Sequence, residues 1–240
     1  PSRTLTRAMS SASSGRASTR SGRATVSQQI VRIDRESKAP MAPAVEAELR
    51  AYIKSILPTV EGVVISDYGS GTVTEGLQSL LIDYCQAKGI PSIVDSRYAV
   101  RRFHGIGYVK QNDAEIAAAM GRNLDTTEDI VAAAEELRQE LAAKGVLVTR
   151  GELGMVLVEH GAVHEIPVSD KSEVFDVSGA GDTCVAAVIL ALAAGIAPAT
   201  AARLSNIASG IAVRKLGTST VSVRELAEVI EKSREEYTSK

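Results

Sequence analysis

A glycine-rich turn that leads into an apolar helix is the feature of this sequence best suited to chemistry. Residues 176–183 read DVSGAGDT, and small and apolar residues continue from there to Ala194. Gly179 and Gly181 let the backbone approach a ligand closely. The free N–H groups of the first helical turn, together with the positive end of the helix dipole, predict an anion-binding site.

Asp182 begins the same helix, where the dipole favours the charged carboxylate and makes it a ready proton acceptor. A carboxylate beside an anion site is what phosphoryl transfer needs. The backbone amides hold the charge of the transferred group, and the carboxylate accepts the proton of the attacking hydroxyl. The alternative is that the glycines form only a tight turn and that Asp182 only starts a helix, since glycine motifs alone are weak evidence.

Strand and helix patterns alternate ahead of this motif. Short apolar runs predict buried strands at 63–65, 92–94, 108–109 and 146–148. Helical spacing of apolar residues separates these runs and predicts helices over 43–57, 73–88 and 126–143. Thr72 and Glu75 predict a capping box at the start of the second helix. The alternation predicts a three-layer α/β/α domain with a mostly parallel central sheet.

The pattern changes in the last third of the chain. Two short strands around His160 and Gly161 predict a hairpin over 155–168 at one edge of the sheet. After it, the spacing predicts three helices, over 180–194, 198–215 and 222–236.

Composition excludes several classes of partner. With 240 residues, of which 45% are hydrophobic, the chain is long enough for one large domain. A formal net charge of -2 and an aromatic content of 3% argue against nucleic-acid and membrane partners. Cys85 and Cys184 lie in apolar, helix-like stretches, which predicts buried free thiols and a cytoplasmic location.

Residues 1–25 have a different composition, with five Arg among many Ser and Thr and no acidic residue. This composition predicts a poorly ordered segment, or alternatively a transit peptide or a remnant of a lid. We therefore expect the folded domain to occupy residues 26–240.

The 176–183 stretch resembles the C-terminal signature of the ribokinase-like, or pfkB-type, carbohydrate kinases. More segments carry the resemblance in family order: QQIVRIDRE at 28–36, SDYG at 66–69, VD at 94–95, NDAE at 112–115, VTRGE at 148–152 and KLGT at 215–218. Within the family the likeness is greatest to the heptose 7-phosphate kinases and the kinase half of bifunctional heptose-phosphate kinase/adenylyltransferases. It implies a ribokinase-like fold and transfer of the γ-phosphoryl group of ATP, with Mg²⁺, to a sugar or sugar-phosphate hydroxyl. D-glycero-D-manno-heptose 7-phosphate is the first substrate it implies.

The resemblance also implies roles for individual residues. Asp182 would be the catalytic base, and the anion hole would consist of Gly179, Ala180 and Gly181. The nucleotide would contact Thr149, Gly151 and Asn206. Asn112 and Glu115 match an Asn-x-x-Glu motif that organises Mg²⁺ and phosphate, although the same pair could simply cap a helix over 113–120. A monovalent cation such as K⁺ would bind near Asp176 and Ser178, although Asp176 could instead only cap its turn.

Four residues are candidates for binding the sugar: Arg32, Asp34, Asp67 and Asp95. Asp67 and Asp95 each end an apolar strand, so their carboxylates could face one cleft and bind hydroxyls. Alternatively they are solvent-facing turn residues, and Arg32 and Asp34 form an exposed ion pair of little consequence.

The sequence departs from the family pattern in two places. Relatives begin with further strands, a glycine-rich substrate loop and much of a lid, and none of these is recognisable ahead of Gln28, so we expect the N-terminal part and the lid to be incomplete. Ser70 stands where heptose-type relatives often carry Lys. The alternatives are therefore a nucleotide-binding remnant without transfer activity and a kinase for another sugar. An interaction module with no nucleotide role fits Asp182 less well. Relatives often pair through lid strands, so a homodimer is also expected.

Overall fold

A computed structural model gives the structure of residues 40–168 and 176–238. The Arg/Ser-rich stretch 1–25 and the candidate residues Arg32 and Asp34 lie outside the described residues. One six-stranded sheet follows the order of the chain. Its strands are β1 (Val63–Asp67), β2 (Ser92–Ser96), β3 (Tyr108–Asn112), β4 (Gly145–Thr149), β5 (Met155–Glu159) and β6 (Ala162–Ile166).

The first four strands are parallel, and β5 and β6 add to β4 as an antiparallel hairpin. The predicted mainly parallel sheet with the hairpin at one edge is therefore confirmed. In the parallel part, Asp67 pairs with Ser96, and Asn112 pairs with Thr149. The carboxyl ends of β1 to β4 thus meet at one edge of the sheet, where open α/β sheets bind ligands.

Helices cover both faces of the sheet. They are α1 (Pro43–Ile56), α2 (Glu75–Lys88), α3 (Asp113–Met120), α4 (Thr127–Leu141), α5 (Ala180–Ala193), α6 (Pro198–Ala212) and α7 (Val223–Thr238). Alternate side chains of β4 show the layering. Val146 and Val148 share a core with Leu137 of α4, and Leu147 shares a second core with Cys184 of α5. The predicted three-layer α/β/α architecture is confirmed.

Helix α2 begins later than its sequence pattern predicted. Thr74 is the N-cap, and its Oγ1 accepts a hydrogen bond of 3.2 Å from the N–H of Leu77. The predicted capping box of Thr72 with Glu75 is therefore wrong. The hydroxyl of Thr74 also donates to Glu46 Oε1 of α1 at 2.7 Å, and this tertiary contact favours Thr74 over Thr72 as the cap.

Cys85 and Cys184 are buried free thiols, as predicted. No helix in the described part of the chain is long and apolar enough to cross a bilayer.

Candidate active site

Two adjoining cavities open at the edge of the sheet where the parallel strands end. The larger cavity, of about 620 Å³, lies between the hairpin, the start of α5 and the C-terminal half of α6. Its walls include Thr149, Gly151, Gly154, Met155, Val168, Val177, Ala180, Gly181, Asn206, Ser209 and Gly210. The charged cavity, of about 370 Å³, is lined by Asp67, Tyr68, Asp95, Arg97, Lys110, Asn112, Glu115, Thr149, Val177, Gly179, Gly181 and Asp182. Thr149, Val177 and Gly181 line both cavities, so the two meet at the start of α5.

The glycine-rich turn sits at this junction. Gly179 is the N-cap of α5 with a φ of 80°, a left-handed conformation that favours glycine. The N–H of Ala180 donates to the carbonyl of Val177 at 3.2 Å. Helix geometry leaves the N–H groups of Gly181 and Asp182 without an acceptor inside the helix. The turn therefore presents two amide donors to an anion at the junction, whereas the amide of Ala180 already has a partner.

Asp182 is the third residue of α5 and lines the charged cavity. Its Oδ1 accepts a hydrogen bond of 3.3 Å from the hydroxyl of Tyr68, which follows β1. The structure thus places the candidate base beside the candidate anion hole. Tyr68 belongs to the SDYG segment of the resemblance, but nothing in its local pattern indicated a role for it.

A buried ion pair lies below the start of α5. Lys110 of β3 is 5% exposed, and its Nζ lies 3.0 Å from Oδ2 of Asp95 at the end of β2. A methyl group placed on Gly181 would lie 3.0 Å from the same Nζ, so the ammonium lies directly against the anion-binding turn. Burial would lower the pKa of Lys110, but the carboxylates of Asp95 and Glu115 raise it overall. The ammonium therefore keeps its charge.

Sequence reasoning missed Lys110. The signal was available, because a lysine inside a short apolar strand is seldom buried unless it is paired. Asp95 was predicted to face a cleft with Asp67, and both do line the charged cavity. Burial raises the pKa of Asp95, and the ammonium of Lys110 offsets only part of this rise. The charges of Glu115 and Asp182 add to the rise.

The carboxylate of Asp67 is occupied by protein partners. Its Oδ1 accepts from the N–H of Gly69 at 3.1 Å. Its Oδ2 accepts from Ser96 Oγ at 2.9 Å and from Arg102 Nη2 at 3.2 Å. Asp67 therefore joins β1 to β2 and to the turn after β1, and a substrate contact for it stays a prediction.

Asn112 and Glu115 form the capping box of α3. Asn112 Oδ1 accepts from the N–H of Glu115 at 2.7 Å, and Glu115 Oε2 accepts from the N–H of Asn112 at 2.8 Å. The second carboxylate oxygen of Glu115 faces Arg97 at 4.0 Å. The capping alternative is thus observed, and a role for this pair in organising magnesium and phosphate stays a prediction.

The three predicted nucleotide residues all line the larger cavity: Thr149 and Gly151 at and just after the end of β4, and Asn206 from a distant part of the chain. Asn206 lies on α6, and its Nδ2 donates to the carbonyl of Pro167 at 2.7 Å. Ser209, one turn further on, donates from Oγ to the carbonyl of Ala180 at 3.1 Å. Helix α6 therefore fixes the exit of the hairpin on one side of the cavity and the start of α5 on the other.

Asp176 caps the turn before α5, which is the alternative role that its sequence allowed. Its Oδ1 accepts from the N–H of Ser178 at 2.8 Å, and its Oδ2 accepts from the N–H of Gly217 at 3.2 Å. The hydrogen bonds from Ser178, then that from Gly217, lower the pKa of Asp176. The turn is thus tied to the loop after α6, and a cation site at Asp176 and Ser178 stays a prediction.

Comparison with known proteins agrees with this geometry. Residues 14–225 match the model of the "pfkB family carbohydrate kinase". The "Bifunctional protein HldE" of Paramagnetospirillum magneticum is 40% identical over 88% of this chain and 43% of its own length. The protein of the same name from Geobacter sulfurreducens is 39% identical over 83% of this chain and 41% of its own length. The chain thus spans less than half the length of these curated relatives.

Solved structures give the same result. Phosphofructokinase-2 from Escherichia coli in complex with potassium superposes with a TM-score of 0.72 at 26% identity, over 84% of this chain and 66% of the other. Arabidopsis thaliana ribokinase, complexed with ribose and ATP, has a TM-score of 0.66 at 20% identity over 74% of this chain and 58% of its own, and shares the fold. On its sequence and its fold together, the chain belongs to the pfkB family of carbohydrate kinases.

Proposed function

We propose that this chain transfers the γ-phosphoryl group of ATP to a hydroxyl of a sugar or sugar phosphate, with Asp182 as the general base. The observation behind the proposal is the position of Asp182, which faces the charged cavity at the point where the larger cavity meets the free amides of α5. A cavity of about 620 Å³ is in the range that holds small ligands and cofactors. The ribokinase that shares this fold was solved with ribose and ATP bound.

In this proposal the nucleotide lies in the larger cavity against Thr149, Gly151 and Asn206. Its γ-phosphoryl group reaches Gly181, where the amides of α5 and the ammonium of Lys110 hold its charge. The acceptor hydroxyl enters from the charged cavity and gives its proton to Asp182. The hydroxyl oxygen forms a bond to the γ-phosphorus, the bond from that phosphorus to the bridging oxygen breaks, and ADP leaves.

Magnesium fits the oxygen donors of the site. No group of three or more His, Cys, Asp or Glu side chains that could hold a metal ion occurs in residues 40–168 and 176–238. Mg²⁺ is commonly held by one or two carboxylates with phosphates and waters, so Glu115 with Asn112 would suffice to organise it. When bound, the ion neutralises phosphate charge. For the monovalent cation we propose the turn at Asp176 and Ser178, since a related phosphofructokinase-2 was solved in complex with potassium.

For the acceptor we propose heptose 7-phosphate, on the likeness of this sequence to heptose 7-phosphate kinases. A homodimer is the assembly we propose, and a tetrameric inhibited form is described for phosphofructokinase-2.

The test is Asp182→Asn, assayed with ATP, heptose 7-phosphate and several unphosphorylated sugars. Loss of a general base typically lowers the rate by about 10²–10⁴-fold. Nucleotide affinity, measured by calorimetry, should change far less because the amides of the anion hole remain. The matched control is Asp113→Asn, which alters an exposed carboxylate at the start of α3, outside both cavities, and should leave turnover unchanged.

The outcomes separate the candidate functions. Turnover of the Asp182→Asn variant at the wild-type rate would remove Asp182 from its role. A wild-type chain that binds nucleotide but phosphorylates no sugar would be the nucleotide-binding remnant. A folded chain with no nucleotide affinity would overturn the proposal altogether.

A further inference from the structure

The contact between Tyr68 and Asp182 joins two residues that lie 114 positions apart in the sequence. The hydroxyl of Tyr68 is 3.3 Å from Oδ1 of Asp182, and the tyrosine is 59% exposed at the mouth of the charged cavity. An exposed aromatic ring gains little from burial. Its polar end, which reaches the candidate base, is therefore the part of this side chain that needs explaining.

The backbone on either side of Tyr68 is held in place. The carbonyl of Asp67 accepts from the N–H of Arg97 at 3.1 Å, and the side chain of Asp67 accepts from the N–H of Gly69 at 3.1 Å. Gly69 has a φ of 72°, and a methyl group placed on it would lie 2.9 Å from the ring of Tyr98. The backbone of the turn is thus fixed by hydrogen bonds and by a glycine conformation, which limits the directions that the side chain of Tyr68 can take.

We propose that Tyr68 is a positioning residue, whose hydroxyl donates to Oδ1 of Asp182 and so leaves Oδ2 to accept the proton of the acceptor hydroxyl. This inference rests on the proposed function of Asp182. The last torsion of an aspartate side chain is broad and roughly two-fold. A donor on one oxygen restricts that torsion and presents the other oxygen in one direction. The carboxylate is then held closer to the geometry that proton transfer needs.

The charges around Tyr68 keep its hydroxyl protonated, as a donor must be. The charge of Asp182, then partial burial and the hydrogen bond itself, raise the pKa of Tyr68. Asp95 adds to the rise, and only Arg97 opposes it. At neutral pH the tyrosine is therefore a donor that cannot compete with Asp182 for the acceptor's proton.

A different use of the same contact makes the opposite prediction. The hydroxyl of Tyr68 could stand where the acceptor hydroxyl must bind and be displaced by it. Removing the hydroxyl would then ease acceptor binding and lower KM, with kcat unchanged. A positioning residue instead affects the chemical step, so its loss lowers kcat and leaves KM nearly unchanged.

The experiment compares Tyr68→Phe with Tyr98→Phe. Tyr98 is a matched control because it is a neighbouring, 75% exposed tyrosine that packs on Gly69. We expect Tyr68→Phe to lower kcat roughly tenfold, the size typical of a hydrogen bond to a charged group, with KM for the acceptor within about twofold. Tyr98→Phe should change neither. A lower KM at unchanged kcat, or equal effects of the two variants, would overturn the proposal.

A second measurement does not depend on turnover. Tyrosine labelled with ¹³C at Cζ reports its ionisation by NMR, and the resonance of Tyr68 is the one lost in Tyr68→Phe. Because the charge of Asp182 raises the pKa of Tyr68, Asp182→Asn should lower it. If this pKa does not respond, the contact does not exist in solution and the positioning role is excluded. If it responds but no sugar is phosphorylated, the failure belongs to the proposed function.

Discussion

The two cavities are lined by different kinds of residue. The larger cavity has four glycines in its walls, beside apolar and polar side chains: Gly151, Gly154, Gly181 and Gly210. The charged cavity is formed by side chains at the ends of the strands, including four carboxylates and two cations: Asp67, Asp95, Glu115, Asp182, Arg97 and Lys110. The shape of the larger cavity therefore depends on backbone conformations that glycine allows. The chemistry of the charged cavity depends on how its carboxylates and cations are paired.

This difference predicts opposite sensitivities. A substitution that adds a side-chain atom should damage the larger cavity most. A substitution that keeps the volume and removes a charge should damage the charged cavity most. The first two of the following predictions test this contrast.

The largest effect is expected for Lys110→Met. Removing the ammonium leaves the carboxylate of Asp95 largely buried without its partner, which should lower the free energy of unfolding by roughly 3 kcal/mol or more. The double variant Lys110→Met with Asp95→Asn should recover most of this loss, because no buried charge then remains unpaired. Denaturant unfolding followed by circular dichroism measures both.

The control for Lys110 is Arg101→Met, which breaks the exposed pair of Arg101 with Glu140 at 2.7 Å. It should have far less effect, because exposed ion pairs contribute little. Equal destabilisation by the two single variants would show that the charged cavity does not depend on its buried pair.

The next effect is expected for Gly154→Ala in the larger cavity. Gly154 has a φ of 86°, and a methyl group on it would collide with the backbone of Ile166, Pro167 and Val168. Strain and overpacking should each cost about 1–3 kcal/mol of stability, and the shift of the hairpin exit should weaken nucleotide binding.

Gly151→Ala is the matched control for Gly154. Gly151 has a φ of 54° but has nothing within 4 Å of the added methyl group. It should therefore show only the cost of a left-handed residue, about 1 kcal/mol. Unfolding midpoints separate the two variants, and a larger loss for Gly151→Ala would contradict the packing argument.

The smallest effect concerns the pH dependence of the tie at Asp176. Because hydrogen bonds lower its pKa in the folded protein, the tie stabilises fully above the ordinary carboxyl pKa and is lost as pH falls through the lowered value. The amide proton shifts of Ser178 and Gly217 should move together in this acidic range. Asp176→Asn should abolish this joint movement, and amides that titrate independently would show that the tie is absent.

The positions of the strands could be predicted because each is a short apolar run, and buried parallel strands need nothing more. Helix ends were predicted less well. The pattern extended α6 to residue 215, yet the helix ends at Ala212. The carbonyl of Val213 accepts from the N–H of Asp176 at 3.1 Å, and no local pattern indicates this contact with the turn before α5.

The residues of the candidate site also fall into two groups: those that the sequence pattern indicates and those that only the fold brings to the site. Asp182 and the glycines around it could be predicted as candidates because their signal is contiguous in sequence. Lys110 and Tyr68 were not, since their importance comes from their distance to Gly181 and Asp182 after folding. Asp67 shows the reverse case: its place at a strand end suggested a ligand, and its oxygens have partners that only the fold provides.

The order of the sheet has a consequence for how the protein is made on the ribosome. The six strands pair in the order in which they are synthesised, so each can add to its predecessor as the chain emerges. Helix α5 comes after all of them and packs back onto Ile93 and Tyr108 of the early strands. A nascent chain that stops before α5 therefore lacks the helix that covers one apolar face of these six strands, and such a face is a target for chaperones. It also lacks Asp182, so the proposed base arrives only when the sheet that must position it is complete.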